Sequence, residues 1–239
     1  MSFDSSTQFS QDTLNRYLKA LAKEFRKRNG TTTPAELILV GGAAILTNYG
    51  FRNMTTDIDA IILASSAMKE AINYIGDKYH LPNGWLNADF TRTPSYSPKL
   101  IEFSTYYRTF SNVLVVRTVS AEYLIAMKLR SGRKYKNDLS DIVGILAEHK
   151  QRGAPISLNA VHTAILNLYG SLDTISPDSR KFIEDIINQG DFKKIYTLIS
   201  QEEKLSKDIL IHFQETYPHA VTTSNAEAIL KALKDRKNQ

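Results

Sequence analysis

Apolar positions in the first part of the chain recur at helical spacing. Within residues 11–29, Leu14, Tyr17, Leu18, Leu21 and Phe25 share one face, with Ser10 placed to cap the start and Gly30 to stop the end. This predicts an amphipathic helix. The period then changes: "ELILVG" reads as a buried strand, "GAAILTNYG" as a short helix that opens at the glycines and ends at Gly50, and "DIDAIIL" as a second strand. Helical spacing returns in "SSAMKEAINYIGDKYH", behind Ser65 or Ser66 as cap. Residues 81–98, rich in Pro, Asn and Ser and carrying Trp85, read as a loop. "KLIEFSTYY" and "NVLVVRTVS" have strand character and are separated by "RTFS", which predicts an antiparallel pair. Ser120 is placed to cap "AEYLIAMKLRSG", and another helix starts near Asn137. From about residue 155 every apolar pattern has helical period. The expectation is an α+β fold: a small mixed or antiparallel sheet flanked by helices over residues 1–150, then an all-helical domain over residues 151–239.

Composition narrows the class. Apolar residues make up 42% of the chain and charged residues 23%, the balance of a globular protein rather than a disordered one. No apolar run approaches the roughly 20 residues that cross a bilayer, and the first residues lack the basic and apolar regions of a secretory signal, so no membrane partner is expected. The absence of cysteine excludes disulfides, thiolate metal sites and a cysteine nucleophile, and fits a cytoplasmic setting. Net charge is unevenly spread. Residues 1–150 carry 19 Lys and Arg against 14 Asp and Glu, a difference of +5, whereas residues 151–239 carry 11 of each. Lys128, Arg130, Arg133, Lys134 and Lys136 crowd into nine residues, a cluster suited to a polyanion such as a nucleoside triphosphate or RNA.

The candidate chemistry lies in "ILVGGAAILTNYGFRNMTTDIDAIIL". Asp57 and Asp59, two apart on a strand, point to one face. Two carboxylates held so close repel unless a cation lies between them, and an oxygen-preferring ion, Mg²⁺ or Mn²⁺, resolves the repulsion. Gly41 and Gly42 fall at a strand-to-helix turn, where the missing Cβ lets backbone N–H groups approach a phosphate. The combination describes a nucleotide site and implies nucleotidyl transfer, an in-line displacement suited to two metal ions. Neither "GxGxxG" nor "GxxxxGK[ST]" occurs, which argues against Rossmann and P-loop sites.

"GGAAILTNYGFRNMTTDID" resembles the signature of the polymerase-beta-like nucleotidyltransferase superfamily, and with Trp85-Leu86-Asn87 it is most similar to bacterial minimal nucleotidyltransferases and toxins of AbiE type. The likeness covers about residues 36–146. It implies that Asp57 and Asp59 ligate metal and that Gly41 and Gly42 contact the triphosphate. It also implies a third carboxylate on a neighbouring strand. Glu102, the acid in the strands predicted after residue 98, is the first candidate for this ligand, and Asp89 is the second. "YLIAMKLRSGRKYKNDLSDI" resembles the later motifs of the toxin branch. That resemblance makes Lys128 a phosphate-contacting residue supported by Arg133, with Asp138 or Asp141 orienting them. Gly42 departs from the family, which often has serine there. The implied activity is transfer of a nucleoside monophosphate from an NTP to an RNA end, such as that of a tRNA-like acceptor, or to a protein hydroxyl. A toxin role with an antitoxin partner belongs to the same resemblance. The alternative is an inactive scaffold that binds nucleotide or partner without turnover.

Overall fold

A computed structural model describes residues 8–222 and 224–237. These pack as two compact units: a sheet unit, formed by residues 8–127 and 163–170, and a helical unit, formed by residues 128–162, 171–222 and 224–237. Packing therefore groups residues 128–150 with the C-terminal helices.

The sheet unit opens with α1 (Gln11–Asn29), whose predicted signals are all used. Ser10 accepts from the Thr13 backbone N–H while the Thr13 hydroxyl accepts from the Ser10 N–H, a reciprocal cap, and the Gly30 N–H closes the other end on the Arg26 carbonyl. Leu14, Leu18, Leu21 and Phe25 are buried on one face. β1 (Ala35–Leu39), α2 (Gly41–Asn48), β2 (Ile58–Leu63) and α3 (Ala67–Tyr79) follow in the predicted order. Ser66 precedes α3 without a side-chain capping bond, and Ser65 instead donates to the Asn29 side chain at 2.8 Å.

The sheet has five strands in the order β3-β2-β1-β5-β4, where β3 is Leu86–Asn87, β4 is Ser104–Phe110 and β5 is Leu114–Val119. β1 is central, antiparallel to β2 and parallel to β5, which explains its apolar run from Leu37 to Leu39. β4 pairs antiparallel with β5, as expected, but through a tight turn at Ser111 and Asn112, both with positive φ. At the sheet edge, β4 exposes most of its residues between a buried Ser104 and a buried Phe110.

Two expectations need correction. Residues 81–98 are not wholly a loop, because Leu86 and Asn87 pair in parallel with Ile58 and Asp59 to form β3. Residues 98–101 form a 3₁₀ turn, and Glu102 caps its end in helical conformation, so Glu102 is not on a strand. Pro98 opens that turn and cannot donate to a ladder, so the strand starts only at Ser104. Trp85 is a core anchor rather than a loop residue: it is buried, its indole N–H donates to the Ile72 carbonyl at 3.1 Å, and its ring lies 6.1 Å from Tyr17 and 6.4 Å from Phe9.

α4 (Ala121–Ser131) and α6 (Leu158–Tyr169) each contribute to both units. Ser120 precedes α4 with its hydroxyl donating to the Phe103 carbonyl. In the helical unit, α5 (Asp138–Gln151) packs on α8 (Phe192–Thr216), with α7 (Pro177–Gln189) and α9 (Ala226–Lys237) also against α8. Tyr135, Leu210, Val221, Ala226 and Leu230 form a buried cluster there. No helix among the described residues is long and apolar enough to cross a membrane.

Candidate functional site

β1 ends at Leu39, and the chain turns into α2 through Val40 and Gly41. Gly41 has φ +53°, a conformation that side chains with a Cβ rarely adopt, so glycine is required for the backbone alone. The turn is fastened to the acidic strand: the Val40 N–H donates to the Asp59 carbonyl at 3.0 Å. A Cβ on Gly41 would lie 3.9 Å from Asp59 Oδ2, so the α2 N-terminus and the Asp59 carboxylate border the same space. Asp59 is half-buried and Asp57 is exposed. Asp57 is steadied by Thr55, a buried residue whose hydroxyl donates to the Asp57 carbonyl at 3.1 Å and lies 3.5 Å from Asp57 Oδ1.

Gly42 is required for a different reason. A Cβ there would stand 2.5 Å from Thr55 Oγ1 and 3.0 Å from Arg52 Nη2, so the absent side chain makes room for both. Arg52 is the residue that the motif reading missed. Its guanidinium Nε donates to the Met54 carbonyl at 3.0 Å, and its far end reaches the glycine turn. The signal available was a cation between the glycines and the aspartates.

The structure brings Gly41, Gly42, Asp57 and Asp59 together and leaves Glu102 apart. Along the sheet, Asp59 on β2 and the start of β4 are separated by β1 and β5, three strand spacings or about 14 Å. Asp89 is nearer in topology. It follows Asn87, the β3 partner of Asp59, and its backbone N–H donates to the Asn87 side chain at 2.8 Å. Among the described residues no three His, Cys, Asp or Glu side chains converge to hold a metal. An Asp pair remains, an all-oxygen donor set. That set suits Mg²⁺ or Mn²⁺, which commonly take one or two carboxylates and complete their shell with water and substrate phosphates. A cavity of about 770 Å³ adjoins Asn87 and is bordered by Met68, Ile72, Gly76 and Trp85.

The helical unit holds the other predicted cations. Lys128 Nζ lies 2.9 Å from Asp138 Oδ1 and 2.7 Å from Asp141 Oδ2, with all three residues buried. Arg133 forks onto Asp138, Nε to Oδ2 at 2.8 Å and Nη2 to Oδ1 at 3.2 Å. Burial alone would raise the Asp138 carboxyl, but Lys128 and Arg133 outweigh it and hold it well below the usual carboxylate range. Glu203 reaches the same end of α5 from α8 and accepts the Leu139 N–H at 2.8 Å. Its carboxyl is pushed up to about 7, chiefly by burial.

The sequence matches, over residues 16–165, the family described as "Nucleotidyltransferase of unknown function (DUF6036)". No curated protein matches the chain. Among solved structures, an antigenic nucleotidyltransferase-like protein from Paracoccidioides brasiliensis is 15% identical, with a TM-score of 0.38 over 74% of this chain and 95% of that one.

Proposed function

The chain belongs to this nucleotidyltransferase family, and from that membership we propose that it moves a nucleoside monophosphate from an NTP to a hydroxyl acceptor, with Asp57 and Asp59 holding a divalent cation. The observation that carries the reading is the fastening of the glycine turn to the acidic strand. The α2 N-terminus and the Asp59 carboxylate border one space, which supports a phosphate held by the backbone beside a metal held by the carboxylate. When bound, the cation would neutralise phosphate charge and polarise the phosphoryl group. The protein's own groups do the rest. The first N–H groups of α2 receive the polyphosphate, Arg52 adds a cation at the turn, and Thr55 fixes the backbone of Asp57. The acceptor hydroxyl releases its proton to water as its oxygen bonds to the α-phosphorus, the bond from that phosphorus to the bridging oxygen of the β-phosphate breaks, and pyrophosphate leaves. Asp89, one strand from the pair, stands better placed than Glu102 to assist a second ion.

A second reading, binding without turnover, is favoured by the lack of a converging third carboxylate among the described residues. One experiment separates the two. The protein is incubated with each α-labelled NTP, Mg²⁺ or Mn²⁺, and RNA or cell extract, alongside direct measurement of NTP binding. Transfer that disappears in Asp57→Asn/Asp59→Asn supports the enzyme. Metal-dependent NTP binding with no transfer supports the binding module, and transfer that survives the double substitution removes the assigned site.

A further inference from the structure

The sheet unit leaves a row of cations uncompensated on α1. Arg16, Lys19, Lys23 and Lys27 recur three or four residues apart and so share one helix face. With Lys78 of α3 they border a groove of about 510 Å³. All five are exposed, and Lys19, Lys23 and Lys27 form no ion pair among the described residues. The acid that lines the groove, Glu24, is already bound by Arg28 at 2.8 Å. Tyr74, 41% exposed, stands in the groove wall with Arg28 and Lys78 within 6 Å of its ring.

The row has regular spacing and a direction. At 1.5 Å of rise per residue it extends about 17 Å, with Lys19, Lys23 and Lys27 about 6 Å apart. α1 starts beside the candidate site: Phe9 pairs with Thr55 through two backbone bonds of 2.7 and 3.0 Å, and the Gln11 amide donates to the Thr47 carbonyl of α2 at 3.2 Å. The cations therefore lead away from the loop that carries Asp57. Periodic ammonium groups suit the repeated charge of a phosphodiester chain, and an exposed tyrosine among them suits the face of a base.

We infer that this groove docks the acceptor and that the acceptor is a single strand of RNA, with phosphates along the α1 row and a base against Tyr74. The inference rests on the transfer reading only for treating the docked strand as acceptor. The test is binding of a labelled single-stranded RNA across a salt series, for the full chain and for Lys19→Gln/Lys23→Gln/Lys27→Gln. A control, Lys204→Gln/Lys207→Gln/Lys231→Gln, removes equal charge from exposed positions on α8 and α9. The groove variant is expected to lose about tenfold or more in affinity and roughly 2 units of log–log salt slope, at about 0.7 per lost phosphate contact. The control is expected to keep its slope. Equal losses in both variants, no loss in the groove variant, no RNA binding by wild type, or equally tight binding of polyglutamate would each overturn the inference. Failure of the transfer reading looks different. RNA binding that depends on the groove, without transfer by wild type, sinks transfer alone. Transfer to RNA with an unchanged KM for RNA in the groove variant sinks docking alone.

Discussion

Between residues 128 and 136 five cations fall within nine positions, and on α1 six fall within the thirteen from Arg16 to Arg28. In the first region the chain supplies counter-charges for Lys128 and Arg133. Asp138 and Asp141 open α5, lie buried, and take Lys128 and Arg133 as partners. In the second, Glu24 and Glu70 are both spent on Arg28, and Lys19, Lys23 and Lys27 face solvent. A dense cationic run in sequence thus marks two different things: an internal electrostatic joint, or a surface that can meet a polyanion. What separates them is whether acids are folded against the same spot, and helix α5 brings them there because its first turn favours negative charge.

Lys128→Met leaves Asp138 and Asp141 buried without their shared ammonium. The expected cost is about 3–5 kcal/mol, measured by urea unfolding. A cost within about 0.5 kcal/mol would make Lys128 equivalent to an α1 lysine.

The next effect, about 3 kcal/mol, concerns Glu203, the acid at the same helix end that forms no ion pair among the described residues. Glu203 in the fold titrates at about 7, above its ordinary value. Its contribution is therefore complete below the unfolded pKa, near 4.5, and is lost as pH rises through about 7. Wild type should lose melting temperature between about pH 5 and pH 8, and Glu203→Gln should flatten that decline. An unaltered decline in the variant would assign it to another group. Asp138 has the opposite sign: its lowered pKa keeps its contribution throughout that window, and only stronger acid removes it.

Smaller again is Arg133→Lys, which keeps the charge but loses the two-pronged contact with Asp138. A loss of about 1–2 kcal/mol is expected in the same unfolding assay. The smallest effect is Lys23→Met on α1, expected to change stability by no more than about 0.5 kcal/mol because no buried acid depends on it. A larger loss would show that the row is structural and would weaken its reading as a docking surface.

How much was legible in the sequence follows from the range of the interactions. α1, with Ser10, Thr13 and Gly30, was readable because its signals lie within a few residues of one another. Gly41, Gly42, Asp57 and Asp59 were readable as a motif because a turn and a strand of period two fix their local directions. β3 was not, since two residues have no period and become a strand only by pairing with β2. Glu102 was misplaced because an apolar "LI" looks alike in a strand and in the 3₁₀ turn that Pro98 starts. The partners of Lys128 were suggested by resemblance, but the burial of the cluster and the arrival of Glu203 from α8 are tertiary facts. Arg52 showed in the sequence only as a charge, and its reach to the glycine turn is likewise a tertiary fact.

The fit of Thr55 and Arg52 around Gly42 has an evolutionary consequence. Serine, the residue often found at this position in the resembled superfamily, cannot be introduced alone, because its Cβ would begin 2.5 Å from Thr55 Oγ1. Thr55 cannot simply yield, since it is buried and its hydroxyl is committed to the Asp57 carbonyl. Position 42 and segment 52–55 are therefore sterically coupled. Homologues with serine at 42 should carry a smaller residue at 55, and a chimera that exchanges only one of the two should fold less well than one that exchanges both.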